Sequence, residues 1–139
     1  MTRVDFYVTE DAGARAAPLL ACRLAEKAWK LGHKVYVHAA DPTDAQKLDE
    51  LMWTFRDVSF VPHALTQAED DAPVRIGHTV PPEGFTELLV NLAPEVPDFA
   101  ERFARIAEIV GGDDAAKQQA RARYKHYRDR GHEPETHQV

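Results

Sequence analysis

The chain has 139 residues, 44% of them hydrophobic and 29% charged, and a formal net charge of -6. That size and balance fit one soluble globular domain with a two- or three-layer core, and no apolar run approaches the roughly 18 residues of a membrane span. The acid excess argues against binding nucleic acid through the overall field. A lone cysteine, Cys22, excludes an internal disulfide and fits a reducing cytoplasm.

Met1-Thr2-Arg3 leads directly into Val4-Asp5-Phe6-Tyr7-Val8, without the apolar core of a signal peptide. These β-branched and aromatic residues predict a first strand. Thr9 to Arg15 predicts a polar loop. Pro18 suits the first turn of a helix, and Leu20, Leu24, Ala28 and Leu31 keep helical period until Gly32, a natural stop. Cys22 lies inside this helix as a small packing residue. Lys34 to His38 predicts a second strand. Asp41-Pro42-Thr43-Asp44 opens a second helix, capped by Asp41 or Thr43, which runs through Leu48 and Leu51 to about Trp53. Strand, helix, strand, helix is the pattern of right-handed parallel βαβ units. The fold class is therefore α/β, a single three-layer domain with a mostly parallel sheet.

Val58-Ser59-Phe60-Val61 predicts a short strand ended by Pro62-His63, and residues 66–73 an exposed acidic loop. Val74 to Gly77 is a possible strand, and Pro81-Pro82-Glu83-Gly84 a turn. Glu87 to Leu92 is apolar on both faces and predicts a central strand. Asp98-Phe99 opens a predicted helix carrying Phe99, Phe103, Ile106 and Val110, broken by Gly111-Gly112. Asp113 then caps a last helix. The domain is expected to span residues 1–130, with 131–139 as a polar, flexible tail.

The last helix is unusual in composition. At about 100° per residue, Lys117, Arg121, Tyr124 and Arg128 share one stripe, and Ala116, Ala120 and Tyr127 form a thin strip beside it. The small residues are expected to hold the helix to the domain. Residues 117–130 carry six basic side chains against one acid, a local charge of +5 that leaves -11 on the remaining chain. One basic patch on an acidic body suggests a local anionic partner; the alternative is a merely solvated helix face.

Catalytic chemistry is hard to find. The first strand–helix turn, Thr9-Glu10-Asp11-Ala12-Gly13-Ala14-Arg15, holds one glycine and two acids. A phosphate-binding turn needs several glycines so that backbone N–H groups can approach the anion. No Gly-Lys-Ser/Thr occurs, and Asp41 reads as a helix cap rather than a ribose ligand. The seven histidines show no zinc spacing, and no Gly-x-Ser-x-Gly elbow exists. No catalytic residue, metal or cofactor is expected.

Three motifs remain: Leu48-Asp49-Glu50-Leu51-Met52-Trp53, Ser59-Phe60-Val61-Pro62-His63, and Arg123-Tyr124-Lys125-His126-Tyr127-Arg128. Their order and spacing, with the Phe6-Tyr7 strand and the Trp29 helix, resemble the chi subunit family of bacterial DNA polymerase III, a clamp-loader accessory component. The resemblance covers nearly the whole chain. It implies a Rossmann-like domain without nucleotide binding and a non-catalytic adaptor role in DNA replication. In that role the protein joins the clamp loader, through the psi subunit, to the acidic C-terminal tail of the single-stranded DNA-binding protein. Matched to the family, Val110, Lys117, Arg121, Tyr124 and Arg128 would bind the tail. Trp53 and Phe60 would contact psi or, in its absence, another partner such as a helicase-like repair protein. Burial in the core is the plain alternative for both aromatics. A rival reading of the helix is direct binding of single-stranded nucleic acid.

Overall fold

The computed structural model describes residues 2–55, 61–66 and 71–139. In chain order the elements are β1 (Arg3–Val8), α1 (Ala16–Lys30), β2 (Val35–His38), α2 (Pro42–Thr54), β3 (His63–Leu65), β4 (Val74–Gly77) and β5 (Leu88–Asn91). A single 3-10 turn (Ala100–Arg102) follows, then β6 (Arg105–Val110), α3 (Asp114–Asp129) and β7 (Glu135–Gln138). The strands form one open sheet in the order β3-β4-β2-β5-β6-β1-β7. Every pairing is parallel. The α/β class and the parallel sheet follow the sequence reading.

Three layers result. Small residues of α1 (Ala21, Cys22, Ala25, Ala28) and Ala45, Leu48 and Met52 of α2 cover one face, packing on Val35, Val37, Ile76, Val90 and Ile109. Ala120 and Tyr127 of α3 pack on Val4, Phe6, Ile106 and Val110 of the other face, beside Phe85, Phe99 and Phe103 from loops. β5 is the middle strand of the seven, as its two apolar faces require. Asp41 caps α2 by accepting the Asp44 N–H at 2.8 Å. Gly32, at φ +87°, ends the α1 region in the left-handed conformation that glycine adopts freely. Among the described residues no helix is long and apolar enough to cross a membrane.

Two elements differ from expectation. The predicted helix from Asp98 is only the 3-10 turn, and Ile106 and Val110 lie on β6. Phe99, Phe103, Ile106 and Val110 have helical spacing, but a short apolar run carries both periods at once. Partners decide the matter, because β6 is hydrogen-bonded to β1 on one side and β5 on the other. The tail is not frayed at 135–138: β7 extends the sheet beyond β1, in the register Asp5↔Glu135 through Val8↔Gln138. Near the other edge, 58–60 lie outside the described residues, and β3 begins at His63, where the predicted strand was to stop. Residues 67–70 of the acidic loop are likewise outside.

His38, the last residue of β2, gives the fold a pH signature. It is 8% exposed, its ring meets Phe99 edge-on at 5.1 Å, and its Nδ1 has no hydrogen-bond partner among the described residues. Burial, reinforced by His78, lowers its pKa from 6.5 to about 4. The folded chain keeps the ring neutral while the unfolded chain protonates it near 6.5. Stability should therefore rise with pH between about 4 and 6.5, by up to about 3 kcal/mol from this group. Urea unfolding at pH 4.5, 5.5 and 7 should show that His38→Phe flattens this slope. An unchanged slope would remove His38 as its source.

Candidate functional site

Helix α3 starts where Asp113, in extended conformation, accepts the Ala116 N–H at 3.2 Å. Asp114 sits in the first turn and His126 and Arg128 in the last, each sign facing the favourable end of the helix dipole. The helix buries Ala120, Arg123 and Tyr127. Phe6 on β1 receives the rings of Tyr124 and Tyr127 at centroid distances of 5.5 and 6.0 Å.

Arg123 is not part of the surface patch. Its Nε donates to Glu108 Oε1 at 2.8 Å in the core, with side-chain exposures of 5% and 0%. Tyr127 Oη donates to Glu108 Oε2 at 2.5 Å, and Asn91 Nδ2 to both oxygens at 3.0 and 3.1 Å. Burial pushes the Glu108 carboxyl upward, while Arg123, Tyr127 and Asn91 pull it back. Arg130, at the helix end, is ion-paired with Glu101. Two of the six expected basic charges are thus neutralised. Lys117, Arg121, Lys125 and Arg128 remain exposed, and among the described residues no carboxylate lies within ion-pair distance of them.

Beside this stripe lies a groove of about 320 Å³. Phe6, Val8 and Val110 come from the sheet, Lys117, Ala120, Arg121 and Tyr124 from α3, and Thr136 and Gln138 from β7. Thr9 and Glu10 complete the lining. Val110 is 2% exposed, a floor residue. Tyr124 is half-buried, its hydroxyl donating to Pro134 O at 3.4 Å. Gly112 shapes the rim: a Cβ there would lie 2.3 Å from the Glu10 carbonyl oxygen, so only glycine lets these loops approach. The structure therefore brings Val110, Lys117, Arg121 and Tyr124 together. Arg128 lies outside the groove, on an adjoining depression of about 380 Å³ shared with Arg121, Tyr124 and Lys125.

The chain matches the family model described as DNA polymerase III chi subunit, HolC, over residues 1–135. The chain belongs to the DNA polymerase III chi subunit family. It is 43% identical over 139 residues to the DNA polymerase III subunit chi of Pseudomonas aeruginosa, covering 100% of this chain and 98% of that protein. The subunits named chi of Haemophilus influenzae and Escherichia coli are 34% and 33% identical, each over 138 residues. Those matches cover 97% and 94% of this chain and 96% and 94% of the relatives.

Trp53 and Phe60 were expected to meet a second partner, and α2, which carries Trp53, lies on the face of the sheet opposite α3. Trp53, near the end of α2, is 51% exposed, so the core reading does not hold for it. Its ring lies 4.5 Å from that of His63, which is itself buried and bonded to Val61 O at 2.6 Å and Asp49 O at 3.1 Å. Phe60 lies outside the described residues.

In the β1–α1 turn Asp11 Oδ1 accepts the Gly13 N–H at 2.8 Å, so an acid occupies an amide that a phosphate would need. Asp5, Glu135 and His137 bring possible metal ligands within 4.8 Å of one another. Arg3 and Arg105 already stand 3.1 and 3.5 Å from Asp5 Oδ2, and these guanidinium groups supply the positive charge that a cation would bring. Sequence reasoning missed Thr136, Gln138 and Glu10 at the groove. The first two become wall residues only once β7 is known.

Removing one partner of a buried ion pair leaves the other uncompensated. Arg123→Ala should cost about 3–5 kcal/mol in urea unfolding. Neutralising the partner as well, in Arg123→Ala with Glu108→Gln, should recover most of that loss, because the amide oxygen still accepts from Tyr127. A double variant as unstable as the single would show that the pair itself, rather than desolvated charge, supports α3.

Proposed function

We infer that this chain is a non-catalytic adaptor of the DNA polymerase III holoenzyme. In this reading it links the clamp loader, through psi, to the acidic C-terminal tail of the single-stranded DNA-binding protein. The observation that carries the reading is the groove: an apolar floor of Phe6, Val8 and Val110 bordered by Lys117 and Arg121, cations with no carboxylate of their own among the described residues. A tail of acids ending in Pro-Phe and a free carboxylate matches both parts. Lys117 and Arg121 meet carboxylates, Arg in a bidentate fork. The terminal ring lies against Val110, Ala120 and Tyr124. Arg128 and Lys125, on the adjoining depression, draw acids further along the tail. Exposed charge pairs each contribute little and weaken with salt, so a single tail binds weakly. Many tails on one coated strand raise the effective concentration.

The family match supports this role, since the relatives are named as polymerase III subunits. Trp53, on the face opposite the groove, is the contact for psi or a helicase-like repair protein, with Phe60 assigned beside it from the family pattern. The two ends of the adaptor are then independent. Direct binding of single-stranded nucleic acid is the weaker reading. Tyr124 is engaged with Phe6 and Pro134 rather than free to stack on bases, and the protein carries a net -6.

A fluorescent peptide ending Asp-Ile-Pro-Phe should bind with a dissociation constant of order micromolar, about -8 kcal/mol. Lys117→Ala or Arg121→Ala should weaken it about tenfold or more, and raised salt should weaken it further. Equal binding of an amidated or Phe-deleted peptide would disprove the carboxylate-and-phenylalanine slot. Tight binding of an oligonucleotide at low salt without any partner protein would favour the rival. Trp53→Ala should abolish capture of psi while leaving peptide affinity within about twofold; loss of both would show that the surfaces are not separate.

A further inference from the structure

The tail reading assigns ligands to α3 and leaves β7 without a role. β7 is the last strand of the sheet and, among the described residues, pairs with β1 alone. The Val139 N–H donates to Val8 O at 2.9 Å. In a parallel pair alternate residues face the partner strand, so His137 and Glu135 share this inward orientation and the main-chain groups of Thr136 and Gln138 face away from β1. Both residues are exposed, and no described group bonds to their outward N–H and C=O. The register Phe6↔Thr136 and Val8↔Gln138 turns the side chains of these same residues toward the groove. Two residues thus present side chains to the slot and free backbone to its outer edge.

We propose that the acidic tail peptide adds to the sheet as an eighth strand along β7, bonded to the outward backbone groups of Thr136 and Gln138, before its last residue enters the groove. This rests on the tail-binding reading above. Charge selects the occupant: Lys117 and Arg121 stand in the groove that this edge borders, and a second copy would bring a body of net -6 with its own cations. Backbone pairing supplies affinity indifferent to side chains, while the cations and the apolar floor supply selectivity. With about 3.3 Å of rise per residue, four-residue β7 engages about four residues of peptide.

The test uses the full chain and peptides N-methylated at alternate residues upstream of Pro-Phe, in two complementary sets. Strand addition uses every second amide, so one set should bind about tenfold more weakly than unmodified peptide and the other within about twofold. Thr136→Pro removes an outward N–H and no β1 bond, and edge strands tolerate proline. It should also weaken binding about tenfold, with the melting transition unchanged. Equal effects from both peptide sets overturn strand addition. If Arg121→Ala still weakens the peptide in that case, tail docking stands without it; if unmodified peptide does not bind, both readings fall. Self-association of the free chain that Thr136→Pro abolishes, with no difference between the peptide sets, would assign the edge to a second copy and overturn the proposal.

Discussion

A carboxylate in the middle of a protein core must be fully paired, because an isolated buried charge costs several kcal/mol. Glu108 sits on β6, fully buried, and its oxygens take bonds from Arg123, Tyr127 and Asn91. Two of these three donors come from α3. The rotation of that helix about its axis is therefore held at two points one turn apart. With Arg123 and Tyr127 directed inward, Lys117, Arg121 and Arg128 must face out, and Tyr124 falls between, over Phe6. The charged surface is a consequence of a charged core.

The helix could not do this with bulkier residues on its inner side. Ala116 and Ala120 keep its backbone close to the sheet, which lets the short reach from Arg123 to Glu108 close at 2.8 Å. The same closeness leaves a groove, rather than a packed seam, where β1 and β7 extend past the helix. At the rim, Gly112 permits the loops after β1 and β6 to touch. The basic surface is small and stands on an otherwise acidic body, so positive charge is concentrated in the exposed cations of α3.

The sheet also separates two surfaces. α2 carries exposed Trp53 on one face, and α3 borders the groove on the other. Seven parallel strands between them make a rigid spacer, and neither surface draws side chains from the other.

Much of this was legible in the residues. The helical period to Gly32, the Asp41 and Asp113 caps and the two-sided apolar run of β5 are local signals, and local chemistry fixed them. The Lys117–Arg121–Tyr124 stripe was legible for the same reason, since a helix face is set by spacing alone. What failed was non-local. Phe99 to Val110 carries both periods, and only hydrogen bonds to β1 and β5 made β6 a strand. β7 is polar and reads as a tail until an unpaired edge of β1 is there to receive it. Arg123 looked like surface charge because nothing in its neighbourhood along the chain announces Glu108. By itself the sequence determined most of the elements, the family resemblance and the spacing of the basic stripe on α3. Only the tertiary structure decided which of those charges are free and which strand forms the groove's far wall, because both depend on partners distant in the chain.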